Sequence, residues 1–562
     1  MGHYDKNQRR EYIMRCEVKL LSSLEKVFFD KFTYLPEHSS GSMLSNEIYS
    51  FQLAIWGEGE ILPNHACTIE IESELEPYIE LKSVEYVPST LSTIEAKGDD
   101  DFITKKPGVM FPDPLQTVKN GEVFLFNEQS RSFWVVVEPK GEMVGTYPIK
   151  LLVKDREKEL LAEAIFTIEI IDAELPELDI CNTGWFHGDC LAKLHNVEIL
   201  SEEYFAIVEK YLKVYVKFGH NTILTPVFTP PLDTKVGGER PTNQLVEISI
   251  EKGKYIFDFK YLKRWIELCH KCGIHYFEIC HFFTQWGAYH APKIMAKVDG
   301  EYKRIFGWDT DALSHEYREF LDAFIPQLKQ FLVVEGIMEQ CVFHVSDEPR
   351  ERHEAQYRAV KDILLKHLDT KQLIDALSAY SFYEKGIVTT PVVSTDCIRT
   401  FVENGVTNLW AYYCTDQGIK TANRFMAMPS YRNRILGQQL YKSDVKGFLH
   451  WGFNFWFTQF SLKVLNPYAD TSAGGAYQSG DAFLVYPLDE DGEVVCSLRL
   501  YVFNEGLQDM RALKLLESMT DRQTVIDLLN EIDGFDSYPR NNQYILQLRE
   551  RVNQEIKKRV TA

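Results

Sequence analysis

Two adjacent carboxylates, Asp347 and Glu348, are the residues of this sequence best placed for acid–base chemistry. They follow a short apolar run at 341–345, and Pro349 comes directly after them. β-Branched and aromatic residues bounded by a proline favour a buried strand, and Pro349 biases Glu348 towards an extended backbone. We therefore expect the pair at the carboxyl end of a strand, where barrel enzymes hold their catalytic groups.

An adjacent pair of this kind suits the cleavage of a glycosidic bond. A general acid must protonate the leaving oxygen while the anomeric carbon is stabilised from its other face. Neighbouring carboxylates shift each other's ionisation, which helps to keep one of them protonated. The pair fits a substrate-assisted route, in which the 2-acetamido oxygen of the sugar attacks the anomeric carbon. One carboxylate would orient the acetamido N–H, and the other would act as acid and base.

Two other functions stay open. In a two-carboxylate retaining enzyme for a plain β-hexoside, Glu348 would be the acid/base and Asp396 or Asp416 the nucleophile, about 5–5.5 Å away. Alternatively, the protein would be a catalytically inactive barrel that binds glycans. Aryl glycosides with and without the acetamido group would separate the first two functions, and sugar binding without turnover would favour the third.

Aromatic and polar residues follow several other predicted strands and are expected to converge on the same end of the fold. Aromatic faces stack on the C–H face of a pyranose, and amide or imidazole groups bind its hydroxyls. The predicted substrate-binding residues are Trp185, His187, His220, Trp286, Tyr412, Tyr413, Trp451, Asn454 and Trp456.

The segments that must position these residues form an α/β pattern. From residue 180 onward, short apolar runs alternate with amphipathic helical segments, which is typical of βα units around a parallel sheet. Eight such strands predict a (β/α)₈ TIM-type barrel. They lie at 180–186, 221–227, 274–283, 340–345, 373–377, 391–395, 408–414 and 447–456. Helices are predicted at 202–218, 261–272, 316–332 and 353–368, with a closing helix at 507–519.

The region before the barrel is predicted to be all β. Residues 16–171 contain short alternating runs separated by Gly, Pro, Asn and Asp, which indicate a β-sandwich. We therefore divide the chain into a sandwich domain at 1–175 and a catalytic barrel with C-terminal closing helices at 176–562. The long segment 229–258 is predicted to be a lid or specificity wall, from which Arg240 could reach the substrate. The charged segment 549–562 is predicted to present a solvated helix face.

Composition restricts the partners. A net charge of −21 argues against nucleic acid or an anionic membrane surface and favours a neutral substrate. We see neither an apolar run that could span a membrane nor an apolar export signal behind the charged residues 1–11. Together with 11 scattered cysteines, this predicts reduced thiols and a cytoplasmic location. We predict no cofactor and no metal site: Cys269 and Cys272 have CxxC spacing, but buried thiols are expected there. A homo-oligomer is left open.

Four motifs of the barrel region stand out: His-Val-Ser-Asp-Glu-Pro at 344–349, Gly-Phe-Leu-His-Trp-Gly-Phe-Asn-Phe-Trp at 447–456, Gly-Asp-Ala-Phe-Leu-Val-Tyr-Pro at 480–487 and Ser-Leu-Arg-Leu-Tyr-Val-Phe-Asn-Glu-Gly-Leu-Gln-Asp at 497–509. Together they resemble glycoside hydrolase family 123 and its relatives described only as a domain of unknown function.

The resemblance implies a retaining, exo-acting β-N-acetylgalactosaminidase, or β-N-acetylhexosaminidase, that forms an oxazolinium intermediate. It implies Asp347 as the acetamido-orienting residue and Glu348 as the acid/base. The N-terminal sandwich also matches the layout of that family. A small oligosaccharide or glycoconjugate is the expected substrate. The resemblance leaves open the identity of the sugar and of the natural aglycone.

Overall fold

The computed structural model of the chain describes residues 15–58, 65–89, 101–103, 108–139, 141 and 143–561. The charged segment 1–11, on which the prediction of no export signal depends, lies outside the described residues. Every helix in the described part of the chain is too short or too polar to span a lipid bilayer.

Strands dominate the first third of the chain and recur between helices in the remainder. The early strands are β1 (Arg15–Ser22), β2 (Ser40–Leu44), β3 (Tyr49–Glu58), β4 (His65–Glu72), β5 (Ile79–Ser89), β6 (Val109–Thr117), β7 (Glu122–Leu125), β8 (Ser130–Val137), β9 (Gly145–Lys154) and β10 (Leu160–Ile171). The later strands are β11 (Cys181–Gly184), β12 (Thr222–Thr225), β13 (Glu247–Glu251), β14 (Lys254–Asp258), β15 (Tyr276–Ile279), β16 (Ile294–Val298), β17 (Glu301–Phe306), β18 (Cys341–His344), β19 (Leu373–Leu377), β20 (Thr390–Ser394), β21 (Trp410–Tyr412), β22 (Gly447–His450), β23 (Val485–Leu488) and β24 (Val494–Ser497). The helices are α1 (Gly188–His195), α2 (Glu202–Lys217), α3 (Lys260–Cys272), α4 (His315–Val334), α5 (Glu354–Leu364), α6 (Tyr380–Glu384), α7 (Ile398–Glu403), α8 (Tyr431–Arg434), α9 (Leu436–Lys442), α10 (Leu498–Met519), α11 (Arg522–Leu528) and α12 (Asn542–Val560).

The N-terminal strands form two sheets that share an apolar core. Their strand orders are β1-β3-β8-β5-β6-β24-β23 and β2-β10-β9-β4-β7. In β8, Phe133, Val135 and Val137 belong to the shared core, whereas Trp134 and Val136 belong to the core of the barrel. Because both faces of this part of β8 are covered, the run at 133–137 is continuously apolar. The sequence did not reveal that β23 and β24, from the far end of the chain, extend the first sheet.

Eight parallel strands close into a barrel in the order β11-β12-β15-β18-β19-β20-β21-β22. All eight predicted strands are therefore found, and the mixed α/β class with a β-rich N-terminal region is confirmed. Helices separate successive strands along the chain, with α2 after β11, α3 after β12, α4 after β15 and α5 after β18. The fourth barrel strand is β18, and the carboxylate pair follows its carboxyl end.

The segment 229–258 is partly regular. It contains β13 and β14, which join β16 and β17 in a sheet of the order β14-β13-β16-β17. Tyr255 packs edge-on against Phe320 of α4 at 5.2 Å, and Phe257 does the same against Phe324 at 5.2 Å. This part of the insertion is therefore attached to the outside of the barrel.

The C-terminal helices differ from the prediction. The closing helix, α10, begins at Leu498, where the Ser497 side chain accepts a hydrogen bond from the Leu500 backbone N–H as an N-cap. The segment 549–562 was predicted to be a solvated face, and that prediction is wrong for the side of α12 that packs on α10 and β2. On this side Arg549, Val552, Asn553 and Ile556 are buried.

A buried ion pair joins the first sheet to the barrel. The Arg499 guanidinium of α10 donates to both oxygens of Asp113 on β6, at 2.7 and 3.0 Å. We expect Arg499→Ala to lower the free energy of unfolding by about 3–5 kcal/mol, because the Asp113 carboxylate is left buried without the guanidinium that neutralises it. Urea unfolding would measure this loss. Lys119→Ala, which breaks the exposed pair with Asp491, is the control and should change nothing measurable; equal effects of the two substitutions would contradict the prediction.

Candidate active site

Hydrogen bonds fix the backbone around the carboxylate pair. The backbone N–H groups of Val345 and Ser346 donate to Asp375 Oδ1, at 3.0 and 3.1 Å. The backbone N–H of Trp286 donates to the carbonyl of Asp347 at 3.0 Å. Bonds from β19 and from the loop that follows β15 thus hold the segment that carries the pair.

Glu348 adopts a left-handed backbone conformation, with φ of 45°. The prediction that Pro349 would hold Glu348 extended is therefore wrong. A left-handed non-glycine residue costs about 1–3 kcal/mol, and such strain persists where the surroundings hold it. One contact that holds Glu348 comes from Tyr412 at the end of β21. The Tyr412 hydroxyl donates to Glu348 Oε1 at 2.8 Å. The turn brings the Glu348 carboxylate to the side of the barrel where Tyr412 lies.

The two carboxyl groups share a partly buried site and act on each other. Burial raises the pKa of Asp347 well above its usual value, and the Glu348 charge raises it further. Burial also raises the pKa of Glu348, while the hydrogen bond from Tyr412 lowers it. Groups this close titrate as a pair, so the site retains one proton at a pH where an isolated carboxyl would be ionised.

The insertion supplies one side of the site. The charge of Asp233 raises the pKa of Asp347, and the neighbouring Thr234 carbonyl accepts a hydrogen bond from the Gln285 side chain at 2.9 Å, directly before Trp286. The Tyr477 hydroxyl donates to Asp233 Oδ1 at 2.8 Å, and the Phe460 backbone N–H donates to Oδ2 at 3.2 Å. The Tyr477 ring packs edge-on against Trp451 at 5.3 Å. The sequence interpretation missed Asp233 and Tyr477. Both lie in long loops, where no periodic pattern shows how far a residue is from the end of a strand.

Two of the predicted tryptophans, Trp286 and Trp451, keep part of their side chains accessible. The Trp286 side chain is 40% exposed and its backbone is left-handed, with φ of 60°. The Trp451 indole N–H donates to Asp481 Oδ2 at 3.0 Å, which fixes the plane of the ring. An exposed indole can offer a stacking face to a sugar ring.

A cleft of about 580 Å³ opens next to Glu348. It contains the two exposed carboxylates considered as alternative nucleophiles, Asp396 and Asp416, and both raise the pKa of Glu348. The lining residues are Glu348, Pro349, Arg350, Glu351, Arg352, Ser378, Ala379, Asp396, Tyr412, Asp416 and Gln417. The cleft is large enough for one or two sugar rings.

Trp185 faces the interior of the barrel. Its side chain is 3% exposed, and its indole N–H donates to Glu278 Oε2 at 3.0 Å. The ring packs edge-on against His281 at 5.2 Å. It therefore supports the site from beneath and offers little surface to a sugar.

His187 and Asn454 hold backbone segments together. The Asn454 side chain accepts from the backbone N–H of His187 at 2.8 Å and donates to its carbonyl at 3.1 Å. The His187 ring donates to the Trp451 carbonyl at 2.9 Å. Arg240 is also internal, because its guanidinium donates to both oxygens of Asp189, at 2.9 and 2.8 Å. These three residues are not brought to the cleft, contrary to the prediction.

His220, Tyr413 and Trp456 lie in the apolar core, and none is more than 2% exposed. His220 stacks on Tyr215 with ring centroids 4.4 Å apart. Tyr413 packs edge-on against Phe448 at 5.0 Å. Successive residues of a strand point to opposite faces, so the orientation that brings Tyr412 to Glu348 turns Tyr413 away. For these residues the prediction of substrate contact is corrected.

Among the described residues, no group of three or more His, Cys, Asp or Glu side chains could hold a metal ion. Cys269 is buried near the end of α3, and Cys272 is partly buried.

Removing the hydroxyl that contacts Glu348 should change the pH profile. Tyr412→Phe removes a donor that stabilises the ionised carboxylate, so the pKa of Glu348 should rise. If protonated Glu348 is the active form, the alkaline limb of kcat/KM should move up by about one pH unit. Tyr413→Phe is the matched control, since its hydroxyl has no hydrogen-bond partner within the described structure. An unchanged alkaline limb in Tyr412→Phe would contradict the role of this hydrogen bond.

A parallel barrel with a carboxylate pair beyond its fourth strand, flanked by tyrosine and tryptophan, has the features of a glycoside hydrolase. The profile of the glycoside hydrolase 123 catalytic domain matches residues 185–516, which is more than half of the sequence. The chain belongs to glycoside hydrolase family 123. No curated protein matches the sequence.

Solved structures agree at the level of the fold. The chain is similar to a family 123 glycoside hydrolase from Clostridium perfringens, with a TM-score of 0.72, 15% identity and 97% of each chain covered. At this identity the likeness shows a shared fold. A β-glucuronidase from Bacteroides uniformis has a TM-score of 0.29 and 12% identity over 80% of this chain and 48% of that chain. A β-glucuronidase from Parabacteroides merdae has a TM-score of 0.28 and 11% identity over 88% and 52%. These two likenesses are too weak to support an argument.

Proposed function

We propose that the protein is a retaining, exo-acting glycoside hydrolase that releases β-linked N-acetylgalactosamine by substrate-assisted catalysis. The observation that carries this proposal is the adjacency of Asp347 and Glu348 at the end of the fourth barrel strand, with Glu348 turned towards Tyr412. Two consecutive carboxylates can serve one anomeric centre when the sugar itself supplies the nucleophile.

In the proposed first step, the acetamido carbonyl oxygen forms a bond to the anomeric carbon as the bond to the leaving oxygen breaks. Glu348 donates its proton to that oxygen, and ionised Asp347 accepts the acetamido N–H and stabilises the positive oxazolinium. In the second step Glu348 removes a proton from water as the water oxygen attacks the anomeric carbon. The bond from that carbon to the acetamido oxygen breaks, which opens the oxazolinium ring and restores the acetamido group. The amide N–H of a bound substrate requires an acceptor, so binding favours the shared proton on Glu348.

The architecture proposed with this function is an N-terminal β-sandwich at 1–175 and a (β/α)₈ barrel at 176–562. The shared core of the two sheets supports the sandwich, and the helices between successive strands support the barrel type. The Clostridium perfringens relative is described by its hydrolysis of glycolipid glycans. A short oligosaccharide or glycoconjugate is the proposed substrate, without cofactor, metal, nucleic acid or membrane partner. A cytoplasmic location is proposed from eleven free cysteines.

A second candidate is a two-carboxylate retaining enzyme that acts on a plain β-hexoside. It is favoured by Asp396 and Asp416, which line the same cleft as Glu348. In this mechanism one of the two would be the nucleophile, and replacing it with asparagine would abolish turnover. In the substrate-assisted mechanism both Asp396→Asn and Asp416→Asn keep most of the activity.

The experiment that tests the proposal is the initial rate of hydrolysis of 4-nitrophenyl β-GalNAc beside the β-GlcNAc, β-Gal and α-GalNAc analogues. Turnover of β-GalNAc and not of β-Gal is the expected result, because only the acetamido sugar carries the internal nucleophile. Turnover of β-Gal at the same rate would favour the second candidate. No hydrolysis of any of the four substrates, together with sugar binding measured by calorimetry, would favour a glycan-binding barrel.

A further inference from the structure

Beneath the carboxylate pair, the barrel interior holds His344 between two carboxylates. The His344 Nε2 lies 3.7 Å from Glu278 Oε2, and its Nδ1 lies 3.8 Å from Asp375 Oδ1. All three side chains are 0% exposed. Two buried carboxylates without a cation between them would be very unfavourable, so the arrangement favours the imidazolium form of His344.

The groups packed around these three side chains support that charge state. Burial lowers the pKa of His344, but Asp375 and Glu278 outweigh burial and raise it to about 9. His281 stacks on His344 with ring centroids 4.4 Å apart. Burial and the His344 charge keep the pKa of His281 well below its usual value, so His281 is neutral. The Tyr357 hydroxyl donates to Asp375 and is also neutral.

The charge on His344 matters to Asp347. Three carboxylates raise the pKa of Asp347 on top of burial, namely Glu348, Asp375 and Asp233. Among the described groups that act most strongly on Asp347, His344 is the cation that lowers its pKa. Asp375 also accepts the backbone N–H groups of the segment that leads to Asp347. The trio therefore acts on both the position and the ionisation of Asp347.

We propose that His344 is a positioning residue for the reaction: held as a cation between Glu278 and Asp375, it keeps Asp347 ionised while Glu348 carries the proton. The effect on Asp347 rests on the proposed function, whereas the charge on His344 does not. If His344 were neutral and served only to pack the barrel interior, replacing it would leave the pH dependence of the reaction unchanged.

The kinetic test uses His344→Gln and the double variant His344→Gln/Glu278→Gln. The single variant removes the cation and leaves both buried carboxylates, which could prevent folding. The double variant removes the cation and the Glu278 carboxylate together, so the net buried charge is the same as in the wild type. The acid limb of kcat/KM should move up by about one pH unit or more in both, with recovery towards wild-type kcat at higher pH. A uniform loss of activity at every pH, with the limb unmoved, would overturn the proposal.

A second readout is independent of substrate. A histidine whose folded pKa is raised from 6.5 to about 9 stabilises the fold fully below pH 6.5, and this contribution is lost as the pH rises through 9. The Tm of the wild type minus that of the double variant should therefore fall between pH 6.5 and pH 9. A constant difference would overturn the cationic state of His344. If the wild type turns over no acetamido glycoside, the proposed function fails while this readout still decides the charge.

Discussion

Glu348→Gln is expected to lose about 10²–10⁴-fold in kcat/KM on a β-GalNAc glycoside with a poor leaving group. Glutamine keeps the shape and the contact with Tyr412 but has no proton to donate to the leaving oxygen. The loss should shrink as the leaving group becomes more acidic, because a dinitrophenolate departs without protonation. Initial rates over a series of aryl leaving groups would measure this dependence.

Asp416→Asn is the matched control for Glu348→Gln. Asp416 lines the same cleft and raises the pKa of Glu348, yet the proposed mechanism gives it no contact with the reacting atoms. We expect nearly full activity, with the alkaline limb of kcat/KM shifted slightly to lower pH. Normal turnover by Glu348→Gln, or abolished turnover in Asp416→Asn, would contradict the assignment of the acid.

Asp347→Asn is expected to lower kcat by about 10²–10³-fold, because a preorganised negative charge is removed from the forming oxazolinium. Asparagine can still accept the acetamido N–H through its side-chain oxygen, so KM should change little. The charge is needed whichever leaving group departs. The fold-loss should therefore be the same for good and poor leaving groups, as initial rates with both would show.

The leaving-group dependence separates the two carboxylates. A loss in Asp347→Asn that vanished with an activated leaving group would make Asp347 the proton donor and reverse the assignment. The raised pKa of Asp347 makes this comparison necessary, because burial alone would favour the proton on that carboxyl.

The barrel could be predicted from the sequence because its strands are short apolar runs between amphipathic helices. The pair Asp347 and Glu348 could be placed at a strand end because Pro349 follows a buried run. The strand pattern could not show which polar residues after a strand turn inwards. Tyr412 and Tyr413 are adjacent and equally plausible in sequence, and the pleat of β21 sends only Tyr412 to Glu348.

Other features depend on contacts between distant parts of the chain. Asp233 reaches the site because the insertion is fixed beside the barrel, and no local pattern records that distance. Glu348 takes a left-handed backbone against the preference set by Pro349, since tertiary contacts outweigh a local bias. His344 could be recognised as buried, but the carboxylates on both sides of it come from other strands.

The central claim is that the acetamido oxygen of the substrate is the nucleophile, and fluorination of that group tests it most directly. Initial kcat/KM would be measured for aryl β-GalNAc glycosides that carry N-acetyl, N-fluoroacetyl, N-difluoroacetyl and N-trifluoroacetyl groups. Each fluorine withdraws electrons from the carbonyl oxygen, so participation predicts a steep and steady fall along the series. Equal rates across all four would mean that a group of the protein attacks the anomeric carbon, and would contradict the substrate-assisted mechanism.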